Sequence, residues 1–393
     1  MTTPRIIQQR FDVAFSYPVV FTRHLFRADN PVFADAVTRL GESRRHRFLV
    51  YLDAGVARHH PQLAGEIQAY AAARPHQLEL VQPLRPVGGG EGIKNDLMGL
   101  SSLINTLVER RLCRHSYVVA VGGGALLDAV GFAAAIVHRG LRLIRVPTTV
   151  LAQNDSGVGV KNAINLNGVK NLIGTFAPPF AVLNDFEFLR TLGEREWTDG
   201  IAEAFKVAII KDRPFFDWLT AHAAALRGRD EAAMAHLVER CAELHLSHIG
   251  GNGDPFEFGQ ARPLDFGHWA AHRLETLSGY KISHGQAVAI GLALDSAYAV
   301  RQGWLSEAEF DLIHRGLCAA GFTLWHDLLE RRRGDRLDLL QGLLDFREHL
   351  GGELCITMPQ GLGRKFEVHE MATGQIEAAL RTLKERAPVA TRR

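Results

Sequence analysis

Short apolar runs separated by stretches of helical spacing constrain the first half of this 393-residue chain more than any other feature. The runs lie at residues 48–52, 78–81, 117–121, 143–146 and 181–183, each too short for a helix. Strands alternating with helices predict a parallel sheet covered by helices. Upstream, residues 11–22 read as β-structure interrupted at Pro18, a hairpin on the edge of the sheet. Beyond Leu189 the strand pattern nearly vanishes, and residues 201–210, 269–277 and 286–300 have helical length and spacing. A chain of this length divides into units of roughly 100–200 residues. We therefore expect an α/β domain at residues 1–189 and a mostly helical domain at 190–393. The chain has no Pro/Ser-rich linker and no repeat, which predicts a firm interface with a cleft along it. The tail after Arg381 is expected to fray.

Composition excludes several classes of function. Lys and Arg number 45 against 43 Asp and Glu, so no strong field draws the chain to nucleic acid. Cys113, Cys241, Cys318 and Cys355 form no CxxC pair, which argues against a disulfide scaffold or a cysteine zinc site and suits the reducing cytoplasm. Residues 1–12 carry Arg5 and Arg10 with no apolar run, and no eighteen apolar residues follow one another, so neither an export signal nor a membrane span is expected.

The run at 117–121 leads into Gly122, Gly123 and Gly124 and then an apolar helix. Glycines allow close backbone approach, and free N–H groups at a helix start attract a pyrophosphate. A glycine-rich turn with a purely structural role fits equally well, and Asp128 could be an acid compensating the helix dipole. After the next strand come Pro147, Thr148 and Thr149, then Gln153, Asn154, Asp155 and Ser156, polar groups at the strand end where an open α/β sheet binds ligands. Lys161, Lys170 and Asn171 follow in a stretch with little helical or strand pattern, as phosphate ligands or as solvated surface residues.

Glu203 and Lys206 stand at i and i+3 of a helix whose expected N-cap is Thr198, amid flanks so apolar that the helix should be buried nearly all round. His268 and His272 lie at i and i+4 of another helix, and His284 opens the next. Glu203, His268 and His284 form a plausible three-ligand site with an open position, which suits a catalytic zinc; a hydrogen-bonded structural role for the histidines is the alternative.

Together these segments resemble the 3-dehydroquinate synthase superfamily, the sugar phosphate cyclases. The matching pieces are Gly90-Glu91-Gly-Ile-Lys94, GGGALLDAVGFAAA from Gly122, His138-Arg139-Gly140, PTTVLAQNDSGVGVK from Pro147, Lys170-Asn171-Leu-Ile-Gly174, GIAEAFK from Gly200, DFGHWAAH from Asp265 and SHGQAVAIG from Ser283. The resemblance implies a Rossmann-like first domain and a helical, metal-binding second one. It implies NAD held by Asp53, Glu91, Lys94, Gly123, Gly124, Asp128, Thr148, Thr149, Asp155 and Lys170, and zinc or another divalent metal held by Glu203, His268 and His284. Substrate would meet Lys161, Lys170, Asn171, Lys206 and His272, with Lys161, Lys206 and His272 catalytic. Arg139 resembles the family arginine that reaches across a homodimer to the substrate phosphate. The family reaction oxidises a ring hydroxyl transiently, eliminates phosphate, returns the hydride and closes a carbocycle by an aldol step.

Departures from the family pattern bear on the substrate. Where 3-dehydroquinate synthases read R-x-x-L-N-x-G-H, this chain has Arg262 displaced by one position and Asp265 in place of the amide, and the upstream lysine falls on Ser247 or His248. The family's paired lysines near the C-terminus are replaced by Phe346-Arg347, leaving Arg347 as a phosphate ligand. An acidic Asp265 disfavours a substrate carboxylate, so a non-carboxylated ketose such as sedoheptulose 7-phosphate is expected. The rivals are 3-dehydroquinate synthase proper, a glycerol- or alcohol-type NAD dehydrogenase, and a retired cyclase serving as a binding protein.

Overall fold

A computed structural model describes residues 5–81, 84–167, 169–251, 255–256, 264–349 and 352–388. Its first half is a seven-stranded sheet built from β1 (Val19–Thr22), β2 (His46–Asp53), β3 (Leu78–Leu80), β4 (Arg85–Val87), β5 (Tyr117–Gly122), β6 (Arg142–Pro147) and, after a hairpin of β7 (Lys161–Leu166) and β8 (Val169–Phe176), β9 (Ala181–Asp185). The strand order is β1-β9-β6-β5-β2-β3, with β4 following β3 along the same edge of β2, and every pairing is parallel. Helices α1 (Val32–Thr38), α2 (Ala54–His59), α3 (Leu63–Ala72), α4 (Gly92–Asn95), α5 (Leu97–Glu109) and α6 (Gly124–Ile136) supply the crossovers. Alternate residues of β2 enter two different cores, Phe48, Val50 and Leu52 on one side and Leu49 and Tyr51 on the other. That two-sided burial is why the strands read as continuous apolar runs.

The second half is helical: α7 (Glu194–Lys211), α8 (Arg213–Arg227), α9 (Glu231–Gly251), α10 (His268–Leu277), α11 (His284–Arg301), α12 (Glu307–Ala319), α13 (Gln341–His349) and α14 (Thr373–Arg386). Two small ribbons, Arg332–Arg333 with Arg336–Leu337 and Ile356–Pro359 with Lys365–Val368, join them. One large apolar core runs through α7, α10, α11 and α12, with Trp269 wholly buried in it.

Four local expectations are corrected. Only Val19–Thr22 of the expected N-terminal hairpin is strand, and it joins the sheet in parallel; Pro18 lies just outside it, where a missing N–H costs no ladder bond. The helix carrying Glu203 begins at Glu194 with Gly193 as N-cap, and Thr198 lies inside it with its hydroxyl on the Glu194 carbonyl at 2.9 Å. The stretch from Lys161 to Asn171 is an antiparallel hairpin rather than a loop. α14 continues to Arg386, so helix persists past Arg381.

Two glycines let the metal-facing helices approach. A Cβ on Gly285 would stand 2.3 Å from Asp199 Cα of α7, and one on Gly291 would stand 2.0 Å from the Gly267 carbonyl oxygen just before α10. Both obstacles are backbone, which cannot swing aside. Gly291→Ala is therefore expected to force α10 from α11 and to destabilise the fold by about 1–3 kcal/mol, the usual cost of overpacking. The midpoint of urea unfolding checks this, and an unchanged midpoint would show that the contact is not needed.

Candidate active site

α7 is buried along Ile201 to Ile210, so Glu203 and Lys206 are carried into the interior as an ion pair on one helical face. Facing them are His268 at the start of α10 and His284 at the start of α11. Ser283 caps α11 through the Gln286 N–H and donates its hydroxyl to Asp199 of α7 at 2.5 Å, which fixes the direction in which His284 leaves the helix.

The histidine hydrogen bonds define what the cluster offers. His268 Nδ1 lies 3.0 Å from the Phe266 carbonyl, which only accepts, so Nδ1 carries the proton and Nε2 presents its lone pair. His284 Nδ1 lies 3.1 Å from Glu275 Oε2 and carries a proton for the same reason. The two Nε2 atoms then face one oxygen, Glu203 Oε1, at 3.4 Å and 3.1 Å. With both rings neutral this sets acceptor against acceptor, an arrangement that a divalent cation resolves. Two atoms each about 2.0–2.1 Å from a tetrahedral zinc stand about 3.3 Å apart, close to both separations. Glu203, His268 and His284 thus fit a metal as one carboxylate and two imidazoles with room for a further ligand, their ligand atoms lying within 4.8 Å of one another. Without metal the negative charge of Glu203 and Glu275 is met by a proton on His284: burial opposes that proton, but Glu275 and Glu203 outweigh burial and push its pKa up to about 10. Glu203 itself is held well below the usual carboxylate range; burial acts upward and Lys206 and His268 overcome it. His272, one turn after His268, is pushed down to about 3 by burial and by His268, which keeps its ring neutral.

The α/β half brings its polar groups to the same crevice. The chain passes from β2 to β3 on one side and returns through β5 to the other, so the sheet's switch point lies between β2 and β5. Asp53 ends β2 there, accepting from Gly55 N at 2.6 Å, and lines a cavity of about 650 Å³ with Gly88, Gly89 and Gly90. Gly123 and Gly124 open α6 beside Thr149, and Thr148 is buried with its N–H on the Gly122 carbonyl. Asp128 of α6 receives Lys94 Nζ at 2.7 Å, and the same ammonium donates to Asn171 Oδ1. Glu91 accepts from Asn165 at 2.9 Å. Lys170 reaches across the crevice to Glu275 Oε1 at 3.1 Å. Asp155 meets His245 Nδ1 at 2.8 Å; burial raises its pKa, but Lys206 and His245 outweigh burial and hold it at about 2.

Three residues of this arrangement escaped the sequence reading. Glu275 touches both Lys170 and His284, and its only sequence signal is its place seven residues after His268, two turns along α10. His245 lies on α9 three residues before His248 and outside every motif read from the sequence. Arg145 is wholly buried in β6 and spends its guanidinium on the carbonyls of Gly157, Gly159 and Lys161 and on Asn162 Oδ1, at 2.7–3.1 Å. A buried charge costs several kcal/mol unless so satisfied, and these bonds fix the segment that ends in Lys161.

Of the other expected site residues, Arg139 and Arg347 lie apart. Arg139 is exposed on the turn after α6, a helix of 13 residues that spans about 20 Å from the glycine loop, so it stands at the far end of the sheet from its own chain's crevice. Arg347 is a correction: its Nε donates to the Gly352 carbonyl at 2.5 Å, and it lines a groove with Tyr298 and Gln302 near the end of α11, where Tyr298 lies 14 residues and about 21 Å along the helix from His284. From α13 it is Phe346 that faces His272, ring centroids 6.5 Å apart. Asp265 lies just before His268 and helps hold the Lys206 ammonium charged, after Glu203 and Asp155; burial acts the other way. His248 is buried and its pKa is lowered to about 4, by burial and then by Lys211. Arg262 falls outside the described residues.

Comparison with known proteins agrees with this geometry. Residues 85–199 match the family model for the 3-dehydroquinate synthase N-terminal domain and residues 200–341 that for the C-terminal domain. A 3-dehydroquinate synthase of Alkaliphilus metalliredigens (strain QYMF) is 35% identical over 295 residues, 74% of this chain and 80% of that protein. The structure of ValA, a 2-epi-5-epi-valiolone synthase from Streptomyces hygroscopicus subsp. jinggangensis 5008 with NAD+ and Zn2+ bound, superposes with a TM-score of 0.84 at 29% identity, covering 96% of this chain and 99% of that one. A 2-deoxy-scyllo-inosose synthase complexed with carbaglucose-6-phosphate, NAD+ and Co2+ shares the fold, with a TM-score of 0.72 at 21% identity over 94% and 96% of the two chains. With both domain models matched in order across the crevice just described, the chain belongs to the 3-dehydroquinate synthase family of sugar phosphate cyclases.

Proposed function

We propose that the chain converts a phosphorylated ketose without a carboxylate, a heptulose phosphate such as sedoheptulose 7-phosphate, into a carbocycle, using NAD and a divalent metal. The observation that supports this best is the meeting, in one crevice, of the Glu203, His268 and His284 cluster with the Lys170 and Asn171 hairpin. When bound, NAD supplies a reversible two-electron oxidation of a substrate hydroxyl, and the metal supplies a Lewis acid for the oxygen concerned.

The chain's own residues do the rest. Asp53, Glu91, Lys94, Gly123, Gly124, Asp128, Thr148, Thr149, Asp155 and Lys170 form the cofactor side of the crevice, and Glu203, His268 and His284 hold the metal. Lys206, kept charged by Glu203, donates to a substrate oxygen, and neutral His272 accepts from a hydroxyl. Lys161, Lys170 and Asn171 bind the phosphate, which leaves with the electron pair of its carbon–oxygen bond as a proton is lost from the neighbouring carbon. Two copies form the working unit, since Arg139 stands too far from its own crevice and can serve only a second one. Asp265 accepts from a substrate hydroxyl and would repel a carboxylate. The overall likeness to the valiolone synthase is in line with such a substrate. The relatives named 3-dehydroquinate synthase favour the carboxylated sugar as a second reading.

Removing the hydrogen-bond partner of a metal-bound histidine typically costs about 10–100-fold in metal affinity, so Glu275→Ala should fall in that range and His268→Ala beyond it. Competition against a chromophoric chelator reads both, and full metal retention by His268→Ala would remove the cluster from this role. Total NAD should stay constant over many turnovers. NADH accumulating in step with product would instead assign a dehydrogenase. For the substrate, a lost charge-assisted pair is worth roughly 1.5–3 kcal/mol, roughly a 10- to 150-fold preference. Phosphate release should favour the non-carboxylated heptulose phosphate by that factor, and Asp265→Asn should narrow the gap. Higher efficiency with the carboxylated sugar would make the chain a 3-dehydroquinate synthase in the strict sense.

A further inference from the structure

Residues 5–16 form no helix or strand, and every one of them is exposed. The segment is nevertheless apolar in an ordered way: Phe11, Val13 and Phe15 alternate with Asp12, Ala14 and Ser16, the period of a strand with one face to bury. Phe11 is 83% exposed, a large apolar cost in a monomer. The root of this arm is fixed. Tyr17 donates its hydroxyl to the Val158 carbonyl at 2.9 Å, Arg39 donates to the Ser16 carbonyl at 3.1 Å, and the Phe15 ring meets Phe256, which in turn meets Phe176 of β8.

The arm thus leaves the body beside a second surface of the same kind. Among the described residues β8 pairs with β7 alone, and its Val169, Leu172, Ile173 and Phe176 are exposed, Leu172 to 49%. A strand edge with unpaired N–H and C=O groups accepts a further strand, and a two-stranded hairpin is marginal without one. The same strand carries Lys170 and Asn171 into the crevice. Whatever covers β8 therefore also steadies two site residues.

We propose that the arm of one copy crosses to a second copy and lies along the outer side of its β8, so that each crevice is completed by the other chain's arm. The inference rests on the two-copy reading above. Fully extended, residues 5–14 would span about 30 Å from their root, a reach suited to a neighbouring molecule rather than to the hairpin beside which they start. Arm and β8 together offer on the order of 800 Å² of apolar surface per copy, the burial of a standard stable interface. Because each chain has one arm and one β8, a twofold exchange satisfies both surfaces and closes.

Sedimentation of the full-length protein and of a Phe11→Asp/Val13→Asp variant tests this, together with amide hydrogen exchange over residues 169–176. Wild type should sediment as two copies. The variant should dissociate roughly 100-fold more readily. Its β8 amides should exchange at least about tenfold faster. Its Michaelis constant for the sugar phosphate should rise while bound metal per chain is unchanged. A wild-type protein that is a single copy would overturn the two-copy reading and this inference with it. A wild-type dimer whose variant keeps the same dissociation constant, or the same β8 exchange, would overturn the arm exchange alone.

Discussion

The buried carboxylate of Glu203 is the interaction on which the rest of this structure depends. A carboxylate withdrawn from water on an apolar helix is tolerable only if cations and hydrogen-bond donors surround it. Lys206 on the same helix supplies one cation, and the imidazoles of His268 and His284, turned to the same carboxylate, complete a place for a second, a divalent metal. Meeting that demand fixes the relative positions of α7, α10 and α11. Gly285 lets α11 touch α7 at Asp199, and Gly291 lets it touch the turn that launches His268. Asp295 reinforces that turn, accepting from the Gly267 N–H and the Trp269 indole. The helical core is therefore arranged around a cation position as much as around its apolar residues.

The two halves of the chain are tied by charge across the crevice. Glu275 joins Lys170 of the hairpin to His284 of the metal cluster, so the same carboxylate orients an imidazole of that cluster and restrains a lysine of the crevice. Asp155 and His245 make a second tie between the loop after β6 and α9. Lys94, shared between Asp128 and Asn171, joins α4, α6 and β8. These ties hold the crevice side chains in place before any ligand arrives, which is the preorganisation a multistep reaction in one site requires.

Much of this was legible in the sequence, for identifiable reasons. The sheet strands could be read because burial on both faces leaves continuous apolar runs, His268 and His284 because they open their helices, and Glu203 because it is a carboxylate on an otherwise apolar helix. The β7–β8 hairpin was not legible. Its strands are polar where they face the crevice, and Asn167 and Asn171 take left-handed backbone angles that break the alternation. Arg145, Glu275 and His245 were missed because each acts through partners distant in sequence. Arg347 misled because the residue before it, Phe346, is the one turned to His272, and neighbouring helical positions point about 100° apart.

The dehydrogenases considered as rivals share the general division into a cofactor half and a metal half, so fold alone does not separate the two chemistries. On the function proposed above, what separates them is the set of residues that the hairpin carries. A hydride-transfer enzyme needs a cofactor crevice and, in the metal-dependent class, a polarised oxygen; it has no step in which phosphate must be held while its bond to carbon breaks. Here β8 brings Lys170 and Asn171 to the metal cluster, while the buried Arg145, at a cost met by four hydrogen bonds, fixes the segment leading to Lys161. In the proposed reaction a cation restrained as Lys170 is by Glu275 would lose little on gripping a phosphate, because its conformational entropy is already spent. On that proposal, the features that make this half of the site expensive to fold are those that suit it to eliminating phosphate rather than to simple oxidation.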